Sequence, residues 1–276
     1  MRSTLDFVSL ADHGLDAAAE LLTRAFADYF VKIAFTAPGL LQLARVDSVD
    51  LAASQIVRRD GVAVGAALIA RRGWTSRLAG MGLLPEARRG GVGRALMEHL
   101  LRDAEARGEH AMTLEVIEQN EAAVKLYERC GFEKLRRLVG FSGSGTAIAK
   151  DALQTVDLRV VGHAVSLHGS SDLPWQLSGE TIAQLGPPDA GYSLSDAWLA
   201  LSGLAGDTVS IRAWVATPGR DAIARQAAVL RAAMAKHPQK TWRATAVWPE
   251  ELNEAFNELG LARLPLTQWQ MVRALR

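Results

Sequence analysis

A glycine-rich turn that joins a strand to an amphipathic helix is the sequence feature that most constrains the fold. The segment reads Leu83-Leu84-Pro85-Glu86-Ala87-Arg88-Arg89-Gly90-Gly91-Val92-Gly93-Arg94-Ala95-Leu96. Pro85 ends the strand because it has no N–H to donate to a ladder. Apolar residues at Val92, Leu96 and Leu100 then recur at helical spacing and predict a helix. A strand that turns directly into a helix is typical of mixed α/β folds.

The same turn predicts a binding site for a diphosphate. Glycines have no Cβ, so neighbouring backbone N–H groups can converge on one anion. The unpaired amides and the dipole at a helix start favour negative charge, and Arg88, Arg89 and Arg94 add positive charge. An ordinary tight turn with solvated arginines is the alternative. A P-loop is excluded because Gly-Lys-Ser/Thr is absent, and a dinucleotide fingerprint would need glycine at Leu96.

The remainder of the first half predicts helices and strands in a mixed order. Helical spacing favours helices over 15–30 and 90–107, and a third helix that begins after a cap at Asn120. Strands are predicted by β-branched and apolar runs at 51–57, 62–70, 76–84, 111–117 and 132–141. Asp60-Gly61 between the first two strands is a strong hairpin signal. The order predicts a mixed α/β sheet.

Composition narrows the class of protein. The 31 basic and 30 acidic residues balance, and each half is close to neutral. Neither half therefore has the excess of basic residues that is typical of a nucleic-acid-binding domain. Cys130 is the single cysteine, which predicts a reducing compartment. We find no signal peptide and no run that is long and apolar enough for a membrane helix. We therefore expect a cytoplasmic protein without membrane or nucleic-acid partners.

The length predicts two domains in tandem, at 1–145 and 146–276. The 276 residues are long for one α/β unit, and 49% of them are hydrophobic, so each half can build a core. The run Ser142-Gly143-Ser144-Gly145 is typical of a linker. The second half repeats the end of the first with an offset of 129 residues, and a helix at 221–236 and a strand at 208–216 are expected upstream. The aligned pairs include Glu121 and Glu250, Tyr127 and Phe256, and Gly131 and Gly260. A chance match of two helix ends is the alternative to a duplication.

Two motifs of the first half stand in a fixed order. The first is Arg88-x-x-Gly91-x-Gly93, and the second runs from Leu114-Glu115-Val116 through Asn120-Glu121-Ala122-Ala123 and Leu126-Tyr127-Glu128 to Gly131-Phe132. Together they resemble the GNAT superfamily of acetyl-CoA-dependent N-acetyltransferases over roughly residues 3–142. The arrangement also resembles tandem members, in which a second GNAT-like domain follows. The resemblance implies a mixed α/β GNAT acyl-CoA N-acyltransferase fold in each half.

The resemblance implies that acetyl-CoA is the acetyl donor and lies against the glycine-rich turn. In this family the strand before the turn splays from its neighbour, and the pantetheine arm lies in the gap. Leu83 and Leu84 would then offer backbone groups to that arm, while Asn120 would bond it or cap its own helix. The pyrophosphate would be held by the residues of the turn: Arg88, Arg89, Gly90, Gly91, Val92, Gly93 and Arg94.

Two catalytic residues follow from the resemblance. Tyr127 matches the family's general acid, which protonates the departing thiolate; a core tyrosine is the alternative. Glu115 stands twelve residues earlier, a spacing found in ribosomal-protein acetyltransferases in which the glutamate acts as base. A solvent-facing glutamate, or one that binds the acceptor without taking its proton, is the alternative, and water can also serve. Cys130 is expected to be buried and structural.

The expected reaction is direct attack of a neutral primary amine on the thioester in a ternary complex, with a backbone N–H near Leu83 at the oxyanion. The acceptor is left open between small amines and protein or peptide N-termini, and a non-catalytic acetyl-CoA-binding regulatory module is the alternative. Homo-oligomer formation is also open. No pair of residues has metal-ligand spacing, so no metal is expected.

The second half has lost two groups that the resemblance requires. Asp221 stands where the phosphate charge would lie, and Phe256 replaces the tyrosine that serves as acid. We therefore expect a degenerate domain without acetyl-CoA.

Overall fold

The computed structural model describes residues 4–145 and 153–276 and divides the chain into two compact units. Unit 1 contains the chain up to Arg136 together with Trp269–Arg276, and unit 2 contains Arg137–Gln268. The predicted boundary after Gly145 thus differs from the observed one, which lies inside a strand. Residues 146–152, the start of the predicted second domain, lie outside the described residues.

Unit 1 contains the mixed α/β sheet that the sequence predicts. Its elements in chain order are β1 (Leu5–Ser9), α1 (Leu10–His13), α2 (Leu15–Ala25), α3 (Ala37–Val46), β2 (Val49–Arg59), β3 (Val62–Arg72), β4 (Thr75–Leu83), α4 (Val92–Ala106), β5 (Ala111–Ile117) and α5 (Glu121–Arg129). β1 to β4 form an antiparallel meander, and β4 pairs with β5 in parallel. The predicted hairpin is confirmed: Asp60 and Gly61 have φ of 51° and 81°, the left-handed pair that a type I′ turn requires.

The first predicted helix is shorter than expected, and three elements, β1, α1 and α3, were not predicted. α2 ends at Ala25 instead of Phe30, and the ring of Phe26 packs edge-on against Tyr29 with centroids 5.1 Å apart. α3 begins after Thr36, whose hydroxyl accepts a hydrogen bond from Gly39 N at 3.1 Å. β1 is five residues long and partly buried, so its alternation gave no clear strand signal.

Unit 2 repeats the order of strands and helices found in unit 1, except that it has two helices where unit 1 has three between β1 and β2. Its elements are the later part of β6 (Glu133–Gly143), β7 (Gln154–Val156), α6 (Leu158–His168), α7 (Gly179–Ala183), β8 (Ala190–Leu194), β9 (Ala197–Ser202), β10 (Thr208–Ala216), α8 (Ala222–Lys236), β11 (Thr241–Val247), α9 (Leu252–Glu258) and the first part of β12 (Ala262–Ala274). The strand and helix predicted at 208–216 and 221–236 are confirmed as β10 and α8. The core of unit 2 includes fully buried Trp242 and Phe256.

The last strand of each unit comes from the other half of the sequence. We expected 132–141 to supply the last strands of the first half, but from Arg137 onward β6 belongs to unit 2, where it pairs with β11. The neighbour of β5 is β12. The side chain of Met271 is buried in the core of unit 1, and Leu275 N donates to His110 O at 2.8 Å. Both strands end a duplicated half, so the local pattern does not reveal which sheet each one completes.

Candidate active site

A gap opens between β4 and β5 of unit 1. Their pairing covers four residue pairs and ends at Leu78 and Leu114, although β4 continues to Leu83 and β5 to Ile117. The pairing of β4 with β3 shifts register between Leu68 and Ile69, so Ala79 is an extra residue in β4. Such a bulge bends its strand and ends regular pairing. The gap has the form that the family resemblance implies for the pantetheine arm.

The main-chain N–H of Leu83 faces this gap, whereas that of Leu84 does not. Leu84 N donates to Val64 O and its carbonyl accepts from Ala87 N, both at 2.9 Å. Because hydrogen-bonded and non-hydrogen-bonded pairs alternate in an antiparallel ladder, Leu83 opposite Gly65 turns its N–H away from β3. We therefore correct the expectation for Leu84, whose N–H and carbonyl are used within the protein, and keep only the N–H of Leu83, since the Leu83 carbonyl accepts from Arg88 Nε at 3.0 Å.

The turn after β4 ends in an uncapped helix start. Gly91, the residue before α4, has φ of 77°, and no side chain caps the helix. The first helical hydrogen bond runs from Ala95 N to Gly91 O at 3.0 Å, so the amides of Val92, Gly93 and Arg94 have no acceptor in the helix. Left-handed backbone at Gly91 is costly for a residue with a side chain. The predicted cradle thus has free donors and the required backbone.

Two further glycines of the turn leave room for close contacts. A Cβ on Gly93 would lie 3.3 Å from both Leu126 Cδ2 and Met81 Cε, so this glycine lets α4 approach α5 and β4. A Cβ on Gly90 would lie 3.3 Å from Arg59 Nη2. The three glycines therefore have different roles. Gly90 leaves room for Arg59, Gly91 allows the left-handed turn, and Gly93 allows α4 to pack closely.

The three arginines of the turn differ in what they contact. Arg88 donates from Nη2 to Asp28 Oδ1 at 2.8 Å and to Ala25 O at 3.1 Å, and from Nε to Leu83 O at 3.0 Å. It ties the end of α2 to the end of β4, and its contribution to phosphate binding stays a prediction. The pairing with Arg88 also lowers the pKa of the Asp28 carboxyl.

The other charges near the turn are more exposed. Arg94 pairs with Glu98 at 2.7 Å on the surface of α4. Arg89 is exposed, with φ of 62°, and its side chain has no partner among the residues that the structure describes. Arg59 lies against the turn, 3.4 Å from Ala87 O, and was missed by sequence reasoning. Arg59 is the last residue of β2, and no sequence motif indicates that it lies near the turn.

Asn120 caps its own helix. Its Oδ1 accepts a hydrogen bond from Ala123 N at 3.3 Å at the start of α5. Of the two roles considered for Asn120, capping is thus present in the structure, and its side-chain N–H₂ group is still able to donate.

Tyr127 is buried on α5 with its ring edge-on to Phe132, the centroids 6.0 Å apart. Burial raises the pKa of its phenol, and electrostatic interactions with Tyr29 and Cys130 add to the rise. The phenol is therefore protonated across the neutral range. No residue of the described chain hydrogen-bonds its hydroxyl, so the proton is not committed to another acceptor. Tyr29 lies beyond the end of α2.

Cys130 is buried at the end of α5, and burial raises the pKa of its thiol. A thiol with a raised pKa is a weak nucleophile at neutral pH. Its surroundings therefore favour a structural role.

Glu115 is the first residue of β5 beyond the paired segment, and it forms a buried ion pair. Its Oε2 accepts from Arg77 Nε at 2.7 Å, and the two side chains are 4% and 5% exposed. Oε1 is buried and has no hydrogen-bond partner among the described residues. A solvent-facing glutamate, one of the alternatives, is therefore wrong. Arg77 was missed because it lies 38 residues away in the sequence.

Loss of the Arg77 guanidinium is expected to destabilise the protein strongly. Arg77→Leu leaves the Glu115 carboxylate buried without its cation, which costs about 3–5 kcal/mol. The double variant Arg77→Leu/Glu115→Leu should recover most of this loss, since apolar replacement of both partners is nearly neutral. Denaturant unfolding measures both variants. Equal stability of Arg77→Leu and the parent protein would contradict the buried pair.

A family model matches most of unit 1. Residues 17–132 match the model described as the Acetyltransferase (GNAT) family. Unit 1 therefore contains a GNAT acetyltransferase domain, as the two sequence motifs predict.

Solved structures extend the likeness to the whole chain at the level of fold. A GCN5-related N-acetyltransferase from Sphaerobacter thermophilus has a TM-score of 0.71 at 13% identity, covering 99% of this chain and 96% of that one. A tandem GNAT protein from the clavulanic acid biosynthesis pathway has a TM-score of 0.68 at 15% identity, covering 98% of each chain. The predicted mixed α/β GNAT fold in two tandem units is confirmed.

A shorter match links the chain to curated relatives. The [Ribosomal protein bS18]-alanine N-acetyltransferase of Escherichia coli strain K12 is 48% identical over 50 residues, which make up 18% of this chain and 34% of that protein. The chain thus spans about a third of the length of the curated relatives it matches.

The described residues contain no cluster of three or more His, Cys, Asp or Glu side chains arranged to hold a metal ion. None of the helices described is both long enough and apolar enough to cross a membrane.

Proposed function

We propose that the protein is an amine N-acetyltransferase that takes the acetyl group of acetyl-CoA in unit 1. The observation that carries this proposal is the junction of an uncapped helix start with an open gap between two parallel strands. Gly91 in the left-handed conformation and the free amides of Val92–Arg94 fit a diphosphate. The unpaired ends of β4 and β5 fit an extended arm beside it.

On the donor side, the amides of residues 89–94 hold the pyrophosphate, and Arg89 and Arg59 supply cationic groups near it. The Leu83 N–H faces the gap and serves the thioester oxygen as negative charge develops there. Asn120 keeps its cap and offers its amide N–H₂ to the arm. Bound acetyl-CoA supplies an activated acetyl thioester, which a neutral primary amine attacks directly.

Tyr127 and Glu115 divide the proton transfers. The Tyr127 phenol, kept protonated by burial, donates to the leaving thiolate. Glu115 Oε1 lies buried without a donor, and an unsatisfied buried carboxylate oxygen is costly. The ammonium of the acceptor, or a water bound to it, satisfies this oxygen and passes its proton to the carboxylate. Arg77 holds the other oxygen and so orients the group.

The acceptor class has a second candidate, the N-terminus of a protein or peptide. The 50-residue match to a ribosomal-protein alanine N-acetyltransferase favours it. A regulatory module that binds acetyl-CoA without turnover is the remaining alternative. We propose that unit 1 is the catalytic domain, that unit 2 is a degenerate GNAT-like domain without acetyl-CoA, and that the protein acts in the cytoplasm.

A thiol-release screen separates these possibilities. Purified protein is incubated with acetyl-CoA and, in parallel, with small primary amines or with peptides that differ in their N-terminal residue. Release of free coenzyme A with one class of acceptor is the expected result, and it names the class. Tight acetyl-CoA binding by calorimetry, with no release above the rate without acceptor in either panel, would favour the regulatory module.

A further inference from the structure

Unit 2 carries its own gap between parallel strands. β10 pairs with β11 over three residue pairs, and the pairing ends at Ser210 and Arg243 although both strands continue. The pairing of β10 with β9 shifts register between Ile211 and Ala213, so Arg212 is the extra residue. The bulge and the short parallel pairing that open the gap in unit 1 are therefore both repeated here.

The phosphate end of this second gap is closed to a diphosphate. Five residues separate β10 from α8, against eight between β4 and α4. Pro218 in this turn has no N–H, and Ala222 N already donates to Gly219 O at 3.1 Å. The Asp221 carboxylate stands directly before the helix, 3.3 Å from its ion-pair partner Arg225. A diphosphate would meet a negative charge and too few amides.

The gap itself is a pocket of about 310 Å³ within unit 2, at the lower end of the size range of small-molecule sites. Its lining is mostly apolar and includes Leu173, Trp214, Trp248, Leu252 and Phe256. The indole N–H groups of its two tryptophans are directed to protein acceptors: Trp214 Nε1 donates to Gln226 O at 2.6 Å, and Trp248 Nε1 to Asp172 Oδ1 at 3.3 Å. The tryptophans therefore present apolar ring surface.

Arg212 is a basic residue in the lining of this pocket. Arg212, the bulge residue, is half-buried, and its guanidinium has no ion pair or hydrogen bond among the residues that the structure describes. The other charged lining residue, Glu251, is exposed at the start of α9. His168 lines the pocket too, and its ring stacks on Trp198 with centroids 5.6 Å apart. A half-buried arginine beside apolar walls complements a carboxylate on an apolar body.

We propose that unit 2 binds a small apolar carboxylic acid in the gap between β10 and β11, with its carboxylate at Arg212. This site corresponds to the gap between β4 and β5 of unit 1. It lacks the amides that would hold a diphosphate, and its apolar pocket remains. The ligand therefore lacks a diphosphate, and its binding does not depend on acetyl transfer in unit 1.

Calorimetry on the full chain tests this proposal with octanoate and 1-octanol as probes, which share an alkyl body and differ in the carboxylate. We expect saturable binding of octanoate with one site per chain and weaker binding of octanol. Arg212→Gln should weaken octanoate about tenfold and leave octanol unchanged, because the ion pair alone is lost. Equal affinities of the two probes for the parent protein would overturn the role of Arg212.

A steric variant locates the site. Ala222 lines the pocket, is partly exposed at the first position of α8 and borders the core of unit 2, so a phenylalanine side chain introduced by Ala222→Phe would occupy the slot. Ala224 is exposed on the same helix and outside the pocket lining, which makes Ala224→Phe the matched control. We expect at least about a tenfold loss of octanoate affinity for the first variant and none for the second. Absence of saturable octanoate binding, equal losses in both variants, or a second molecule of acetyl-CoA per chain that octanoate displaces would overturn the proposal.

Discussion

Tyr127→Phe is expected to lower the rate of acetyl transfer by about 10²- to 10⁴-fold while acetyl-CoA binds as before. The substitution removes one hydroxyl from a buried ring and keeps the ring's contact with Phe132. Without the phenol, the thiolate departs unprotonated or takes its proton from water, and the barrier rises accordingly. Initial rates of thiol release, with calorimetry for acetyl-CoA, measure the two quantities separately.

The raised pKa of Tyr127 adds a pH dependence to this expectation. Burial disfavours the phenolate, so the acid form persists to a higher pH than in an exposed tyrosine. The rate with the parent protein should therefore show no alkaline fall from this group below about pH 10. Tyr192→Phe removes another buried phenol, one that lies 2.8 Å from His237 in unit 2, and serves as the control. An unchanged rate in Tyr127→Phe, or an equal loss in both variants, would remove Tyr127 from the role of acid.

Local sequence signals predicted the parts of the site that depend on backbone conformation. Gly91 takes the left-handed φ that a glycine permits, and Asn120 caps α5 as an asparagine before a helix commonly does. The φ of a glycine and the cap of a helix depend on a few neighbouring residues. A short motif therefore contains enough information to predict both.

The side-chain partners of the site could not be predicted in this way. Arg88 resembled a phosphate ligand in the sequence, yet Asp28, 60 residues earlier, takes its guanidinium. Glu115 is held by Arg77, and Arg59 reaches the turn from the end of β2. Each contact depends on how distant strands and helices pack, and a single sequence carries no local mark of it.

The exchange of closing strands was unpredictable for another reason. The two halves of the sequence end in strands β6 and β12, which have similar residue patterns. The residues of each strand alone do not show which unit it completes. The choice is made by packing of particular side chains, such as Met271 in the core of unit 1. The boundary predicted after Gly145 differs from the division between the compact units, which lies after Arg136 inside β6, because Ser142 and Gly143 belong to that strand.

Gly91→Asp is expected to weaken acetyl-CoA binding by roughly 10³-fold, because like charges about 4 Å apart near a protein surface repel by about 4 kcal/mol. Calorimetry with acetyl-CoA measures the loss. A second contribution is backbone strain, since φ at this position is 77°. Gly91→Ala carries the strain without the charge and should bind more tightly than Gly91→Asp.

Gly61→Asp is the matched control for this experiment. Gly61 has φ of 81°, and a Cβ there would also meet no atom within 4 Å, but it stands in the hairpin between β2 and β3. The control therefore carries the same charge and nearly the same strain away from the helix start. If Gly91→Asp bound acetyl-CoA as tightly as Gly61→Asp does, the diphosphate would not lie at the start of α4, and the assignment of the donor site in unit 1 would have to be abandoned.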